Sequence, residues 1–346
     1  MEKIIETIPY ERVKDYDLIK AYFGDRKVCM FDIETTGLSP FKSFTYIIGV
    51  NVFEEGTWKI IQLFNDDGRS EPEMIRAFQA MIKDYDVLIE FNGDTFDIPY
   101  IQKRMSFIEE KFHIRLTDNF SSIQNFDLMK LVRPCKFSLG LPNIKQKTIE
   151  KYLGIDRVDM YNGGQLIDVY LGYLAMKDER SRNLVLRHNR DDMEGMIYLS
   201  SILALDMLKP ENLSFKDISI VQIAGSERLK LVIELEFSKK FLRPVITTAE
   251  GIDMEISGSR VILKLPILVG SLKYYYGDSE KDGFSEASGY FVSTSGCTLD
   301  KVPLYKEKCK TKDSFVMLDD TFLGNHKLIL EYAAKTADKV LKYRRK

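Results

Sequence analysis

The sequence predicts an α/β fold with a mixed sheet flanked by helices, followed by a smaller β-rich domain. Between residues 25 and 208, short apolar segments and longer amphipathic segments follow one another, as strands and helices packed in layers do. After Lys209-Pro210 the pattern changes to alternating, β-branched segments separated by Gly-rich turns. A length of 346 residues suits about two domains. We expect a lead-in at 1–24, the α/β domain at 25–208 and the β-rich domain at 210–346.

The α/β part contains four strand candidates, and helices follow them. The strands are expected at Val28–Ile33, Thr45–Phe53, Trp58–Phe64 and Val87–Phe91. Short turns join the first three, which indicates an antiparallel meander. The helices are expected at Asp97–Phe112, Leu141–Leu153, Gly163–Met176 and Asn183–Leu208.

The β-rich part contains shorter alternating segments and ends in one helix. Its strands are expected at Ile218–Ile223, Leu229–Phe237, Val245–Thr248, Asp253–Ile256 and Arg260–Leu265. Such strands with Gly-rich turns between them favour a sandwich or a barrel. The closing helix is expected at Asn325–Lys342. The pattern assigns no role to this domain.

Composition and charge are those of a soluble globular protein. The net charge of −2 does not by itself indicate a nucleic-acid or membrane partner, so any binding of polyanions requires a local patch. The four cysteines, at positions 29, 135, 297 and 309, form no Cys-x2-Cys pair, which favours free thiols over a zinc site. The charged N-terminus lacks the apolar core of a signal peptide, and we expect a cytoplasmic location.

The most informative motif is Asp32-Ile33-Glu34, which follows the apolar run Val28–Phe31. Side chains alternate along a strand, so the two carboxylates point to the same side. Burial and mutual repulsion disfavour their charged forms, and a cation between or beside them relieves both. Oxygen ligands alone suggest a hard divalent ion, Mg²⁺ or Mn²⁺.

Two further segments carry acidic or basic groups. Asp97 opens a helix after an Asn-Gly turn, where it could be an N-cap or could face a neighbouring metal site. His188 and Asp192 are four residues apart and share one face of a later helix. A histidine paired with an aspartate at that spacing is a candidate for proton transfer, although a lone histidine is more often structural.

Taken together, these motifs resemble the DEDD superfamily of 3′–5′ exonucleases, which have an RNase H-like fold. The resemblance covers about residues 26–208 and rests on Asp-x-Glu followed by Thr-Thr-Gly, on Asn-x3-Phe-Asp, and on the late His/Asp pair. The surrounding sequence looks most like the YprB-type bacterial ribonuclease H-like proteins, which share an Asn-Gly-x2-Phe-Asp-x-Pro element. They also share a late helix of Tyr/His-Asn-x2-Asp form. No such resemblance extends to residues 210–346.

The resemblance implies a metal-dependent enzyme that hydrolyses phosphodiesters of single-stranded DNA or RNA to 5′-mononucleotides. It implies two divalent ions, Mg²⁺ or Mn²⁺, held by four carboxylates, which are Asp32, Glu34, Asp97 and Asp192. His188 would orient or deprotonate the attacking water. The terminal nucleotide would contact a further set of residues, which are Thr35, Thr36, Leu38, Asn92 and Phe96.

The third motif departs from the family pattern. Members with His use His-x4-Asp and members with Tyr use Tyr-x3-Asp, whereas this chain has His-x3-Asp. One residue further along is Met193, which cannot bind Mg²⁺, so Asp192 is preferred and Asp191 is the alternative. Two other functions stay open: a catalytically idle module that binds nucleic acid or protein, and a structure-selective endonuclease. Phosphate contacts would fall to local cations, with Lys145, Lys147, Arg187 and Arg190 as candidates.

Overall fold

The structure is a computed structural model that describes residues 1–156, 163–294, 299 and 302–343. These residues fall into two compact units. The first comprises the described residues of Met1–Val132 and Ile144–Leu203, and the second comprises Arg133–Asn143 with the described residues from Ala204 onward. None of the helices in the described ranges is long and apolar enough to cross a membrane.

The first unit is built on a six-stranded mixed sheet. Its strands are β1 (Glu2–Ile8), β2 (Val28–Thr35), β3 (Thr45–Glu54), β4 (Thr57–Phe64), β5 (Val87–Glu90) and β6 (Gln124–Asp127). The described strands lie in the order β1-β4-β3-β2-β5-β6. β2, β3 and β4 form the predicted antiparallel meander, and β5 and β6 run parallel to β2. The predicted mixed sheet is confirmed.

Helices cover both faces of this sheet. They are α1 (Tyr10–Val13), α2 (Ile19–Phe23), α3 (Glu71–Ile82), α4 (Asp97–Phe112), α5 (Leu128–Val132), α6 (Gln146–Leu153), α7 (Gly163–Met176) and α8 (Glu179–Leu199). Phe31 and Ile33 of β2 pack into a core with α3 and α4, where Phe31 stacks on Phe78 at 5.1 Å. On the other face, Tyr46 of β3 stacks on Tyr170 of α7 at 4.3 Å. Burial of a large apolar side chain in such a core contributes about 1.5–3 kcal/mol to the free energy of folding.

β2 is central and buried on both faces, which explains why Val28–Phe31 is a continuous apolar run. The polar positions Asp32 and Glu34 come where this strand ends. Helix α4 matches its predicted range, and α6 ends at Gly154, whose φ of 87° is the left-handed conformation that glycine tolerates best. The helix predicted to reach Leu208 instead ends at Leu199 and continues as a 3₁₀ segment over Ser200–Asp206.

The second unit contains an antiparallel sheet. Its elements are β7 (Leu213–Gln222), β8 (Leu229–Ala249), β9 (Ile252–Tyr275), β10 (Phe284–Ser293), β11 (Phe315–Met317), α9 (Asp320–Leu323) and α10 (His326–Leu341). The described strands form one five-stranded sheet in the order β11-β10-β9-β8-β7, where the sequence had favoured a sandwich or a barrel. The short predicted strands are parts of two long ones, because the β8–β9 pairing continues through register shifts near Phe241.

The limits of the two units differ from the predicted domains in two places. Residues 1–24, expected as a separate lead-in, contribute β1, which pairs with β4 at the edge of the first sheet. Residues 133–143 join the second unit, where the hydroxyl of Ser138 donates to the backbone carbonyls of Val340 and Leu341. The role of the β-rich unit and the division into independent domains stay predictions.

The cysteines in the described ranges are free, buried thiols, namely Cys29, Cys135 and Cys309. Burial raises the pKa of Cys135 to about 11, so its thiol stays protonated at neutral pH. Cys297 lies outside the described residues.

Candidate active site

The end of β2 carries the first two carboxylates. Asp32 pairs with Gly49 across the β2–β3 ladder, and Glu34 lies two residues on, so both side chains leave the sheet on the face opposite to Ile33. Glu34 is 9% exposed and accepts a hydrogen bond of 3.4 Å from the hydroxyl of Tyr46. The carboxylate of Glu34 raises the pKa of that hydroxyl, although burial of the Tyr46 ring raises it more.

Helix α8 brings the His/Asp pair to the same place. The Nε2 atom of His188 lies 3.3 Å from Oδ2 of Asp192 and 3.6 Å from Oε1 of Glu34. One helical turn separates the two α8 residues, as their spacing predicts. Asp191, the alternative considered from the sequence, instead contacts Arg190 at 3.1 Å. Of the two aspartates, Asp192 is therefore the one whose carboxylate contacts His188.

Asp97 approaches from the N-terminal end of α4. It is the first residue of the helix, and its Oδ1 atom accepts a hydrogen bond of 3.2 Å from the backbone N–H of Ile33. This contact ties the carboxylate to the strand that carries Asp32 and Glu34. Asp97 is 5% exposed, and burial raises its pKa to about 7, partly offset by the hydrogen bond from Ile33.

The donor set fits a divalent cation. Glu34, His188 and Asp192 each offer a ligand atom, and these atoms lie within 4.8 Å of one another. Carboxylate oxygens are the donors that Mg²⁺ and Mn²⁺ prefer, and imidazole nitrogen is compatible with transition metals. Asp32 is not one of these three residues, but it is tied to the same helix, because the side-chain amide of Asn189 donates to Asp32 Oδ2 at 3.3 Å. We call Asp32, Glu34, Asp97, His188 and Asp192 the carboxylate centre.

The last residue of β2 and the loop after it provide three residues predicted to contact the terminal nucleotide. The hydroxyl of Thr35 donates to the carbonyl of Gly37, and the hydroxyl of Thr36 donates to the carbonyl of Phe44. These bonds hold the loop in shape. Leu38 is 84% exposed.

The other two predicted contact residues lie in the turn between β5 and α4. Asn92 has a φ of 69°, a conformation that asparagine tolerates better than most residues, and its side-chain oxygen accepts from Thr95 at 2.8 Å. Phe96 is half-buried, with its ring centroid 5.5 Å from that of Tyr100. Both residues thus belong to the turn that leads into Asp97 and α4.

Sequence reasoning missed two sets of polar side chains here. Tyr46 and Asn189 support Glu34 and Asp32, and the Asn-x2-Asp pattern of the late helix was the available signal for Asn189. A second acidic cluster, made by Glu90, Asp94 and Asp127, lies at the ends of β5 and β6. No spacing rule joins Asp127 to the other two, because the parallel strands meet only in the folded sheet.

The structure distinguishes the two arginines among the predicted phosphate contacts. Arg190 forms ion pairs with Glu6 at 2.8 Å and with Glu194 at 2.5 Å, so its role is structural. Arg187 is 69% exposed and lies 3.7 Å from Asp191, which leaves most of its guanidinium accessible.

Comparison with known proteins identifies a family model and several relatives that are similar to this chain. The family model described as the RNase_H superfamily matches residues 29–204. A DNA polymerase of Desulfurococcus sp. (strain Tok) is 33% identical over 189 aligned residues, covering 43% of this chain and 23% of the polymerase. A DNA polymerase of Pyrococcus glycovorans is 40% identical over 99 residues, covering 26% of this chain and 12% of the polymerase. The chain therefore spans less than a quarter of the length of these curated relatives.

Among solved structures, the family B DNA polymerase of Pyrobaculum calidifontis is 20% identical, with a TM-score of 0.42. The structural match covers 53% of this chain and 25% of the polymerase chain. The segment matched by the family model begins in β2, ends just beyond α8 and makes up about half of the chain. That segment contains all five residues of the carboxylate centre, so the centre lies within the matched fold. Since the family model matches half of the chain, the chain belongs to the RNase_H superfamily.

Proposed function

We propose that this protein is a metal-dependent nuclease, and specifically a 3′–5′ exonuclease acting on single-stranded DNA or RNA. One observation carries the proposal. Glu34 from β2 and the pair His188 and Asp192 from α8 offer ligand atoms within 4.8 Å of one another. Asn189, the residue after His188, donates a hydrogen bond to Asp32. A catalytically idle module would have no need to keep acidic side chains converging on one buried spot, where their mutual repulsion is unfavourable.

Four carboxylates would hold two Mg²⁺ or Mn²⁺ ions, namely Asp32, Glu34, Asp97 and Asp192. Bound ions would supply Lewis acidity toward the phosphodiester and would lower the pKa of an attacking water. The protein's own contribution is orientation. Asn189 fixes the Asp32 carboxylate, Tyr46 fixes that of Glu34, and the backbone N–H of Ile33 fixes that of Asp97.

His188 is the proposed base. Its Nε2 atom faces the carboxylates of Glu34 and Asp192, and the side chain is 8% exposed. In the neutral form this nitrogen has a lone pair that can accept the proton of the water that attacks phosphorus. The neighbouring carboxylates then stabilise the imidazolium that forms. A glutamine at the same position would keep a polar group there but could not take the proton.

The 3′ end is proposed to lie against the loop after β2 and the turn before α4. Thr35, Thr36 and Leu38 follow Asp32 and Glu34 in the chain, and Asn92 and Phe96 precede Asp97. The exposed Leu38 offers an apolar surface to a terminal base. The curated relatives are DNA polymerases, which act on DNA. This supports a nucleic acid as the substrate.

Two finer assignments belong to the same proposal. We place the chain in the YprB-type group on the element Asn92-Gly93-x2-Phe96-Asp97-x-Pro99 and on the Asn-x2-Asp pattern of α8. We also propose a cytoplasmic location, which the free thiols of Cys29, Cys135 and Cys309 support because a reducing compartment keeps thiols unpaired.

The test is a nuclease assay on 5′-labelled single-stranded DNA and RNA with Mg²⁺, Mn²⁺ or EDTA. We expect a ladder that shortens from the 3′ end, requires metal and disappears in Asp32→Ala. An Asp25→Ala variant, at an exposed turn before β2, should behave as wild type. Binding without cleavage under every condition would refute the nuclease proposal. Internal cuts as first products would refute the exonuclease mode in favour of a structure-selective endonuclease.

A further inference from the structure

A second group of acidic side chains lies at the carboxyl ends of two parallel strands. Glu90 closes β5 and Asp127 closes β6, and the two are direct partners in the register of the parallel pair. Asp94 reaches the same place from the turn that follows β5. A carboxylate oxygen from each of the three lies within 4.8 Å of the others. Two neighbouring strands and a turn thus build this cluster.

One oxygen of each strand carboxylate is already used by the backbone. The N–H of Gly93 donates to Glu90 Oε2. Asp127 Oδ1 accepts from the N–H of Asn92 at 3.0 Å and from that of Met129 at 2.8 Å. These bonds fix both side chains in position, so the direction of their remaining oxygens is also fixed.

The remaining oxygens have no hydrogen-bond partner among the described residues. These atoms are Glu90 Oε1 and Asp127 Oδ2, on side chains that are 0% and 6% exposed. A buried polar atom without a partner costs about 1–3 kcal/mol, and more if it is charged. Two such atoms in one cluster indicate that a ligand supplies the missing interaction.

The cluster also carries uncompensated charge. Lys130 forms an ion pair with Asp94, but its side chain is 56% exposed and Asp94 is the outermost of the three carboxylates. Burial, followed by the charge of Asp127, raises the pKa of Glu90 to about 8. Both effects are those that a bound cation reverses, because it stabilises the ionised carboxylates.

We infer that Glu90, Asp94 and Asp127 form a second cation site, separate from the carboxylate centre, for a hard divalent ion such as Mn²⁺ or Mg²⁺. Three carboxylate oxygens suit such an ion, with water completing the coordination on the side of Asp94, whose side chain is 24% exposed. The ion would join β5, β6 and the turn that leads to Asp97. The inference is independent of the proposed nuclease activity, since it concerns binding alone.

The test measures Mn²⁺ binding to the full chain by electron paramagnetic resonance. Asp32→Asn with Asp192→Asn removes two ligands of the carboxylate centre and provides the background. In that background we expect saturable Mn²⁺ binding. Adding Glu90→Gln and Asp127→Asn should lower the Mn²⁺ affinity at least about tenfold, which is the usual effect of losing metal ligands or the residues that support them. Glu110→Gln, an exposed change on α4, should leave the affinity unchanged.

Two results would overturn the inference: no saturable binding in the background, or binding of equal affinity after Glu90→Gln with Asp127→Asn. Circular dichroism in EDTA checks that the variants fold, and both substitutions preserve side-chain shape. If the double variant does not fold, Asp94→Asn replaces it, because that side chain is partly exposed. The same tenfold loss is then expected, and unchanged affinity again overturns the site.

Discussion

The side-chain amide of Asn189 donates a hydrogen bond of 3.3 Å to Asp32, which joins helix α8 to the first carboxylate of the centre. Asn189 is fully buried, and its own oxygen accepts a hydrogen bond of 3.0 Å from Gln62. The amide is therefore held from behind by β4 while it holds Asp32 in front. Such a support orients a metal ligand without touching the metal.

Replacing Asn189 by alanine should release the Asp32 carboxylate and leave the amide of Gln62 with one partner fewer. We expect kcat/KM for a single-stranded oligonucleotide to fall about 10- to 100-fold, the usual effect of losing a residue that orients a metal ligand. Asn183→Ala, an exposed change on the same helix, is the control. Equal rates for the two variants would show that Asn189 does not position Asp32.

Gly49 allows α8 to lie this close to the sheet. It is the β3 partner of Asp32, and a Cβ atom at this position would lie 2.6 Å from the side chains of Asn189 and Met193. Gly49→Ala should therefore destabilise the fold by about 1–3 kcal/mol and also lower activity. Gly172→Ala is the matched control, because nothing lies within 4 Å of its Cβ and a helical Gly-to-Ala change is favourable. Urea unfolding of both variants measures the difference, and similar midpoints would contradict the proposed clash.

His188 provides a test of the proposed base. His188→Gln should lower kcat about 10²- to 10⁴-fold, the contribution expected of a general base. It should leave Mn²⁺ binding to the carboxylate centre within a few-fold, because the proposed ligands are the four carboxylates and not the imidazole. His113→Asn, at an exposed helix end where asparagine tolerates the positive φ of 58°, is the control. Unchanged kcat would exclude His188 as the base.

The sequence predicted those parts of the site that are local. Asp32 and Glu34 share a face because strands alternate, and His188 and Asp192 meet because helices repeat every 3.6 residues. The range of α4 was predicted for the same reason, since its apolar spacing and its acidic start are local signals. Each of these needs only a few consecutive residues.

The parts that could not be predicted depend on contacts distant in the sequence. Strand β1 contains three charged residues, Glu2, Lys3 and Glu6, which are typical of a solvated segment, and only its pairing with β4 makes it part of the sheet. Asn189 could not be assigned to Asp32 because 157 positions separate them. Likewise, the pairing of Glu90 with Asp127 depends on the register of two parallel strands, which no turn fixes.

The last prediction concerns the dependence of stability on pH in EDTA. Burial raises the pKa of Glu90 from 4.5 to about 8, so the folded protein keeps a proton that the unfolded chain releases between these values. The free energy of unfolding therefore falls as the pH rises through this range, and the stabilising contribution is lost above the folded pKa. Each pKa unit corresponds to about 1.4 kcal/mol, so wild type should lose about 1–3 kcal/mol more than Glu90→Gln between about pH 6 and pH 9. Asp97, whose raised pKa has the same sign, is present in both proteins, and its charge is one of the smaller causes of the raised pKa of Glu90. Urea unfolding of both proteins at the two pH values, analysed with a common m-value, measures this difference. Equal losses of unfolding free energy in the two proteins would show that Glu90 ionises normally in the folded state.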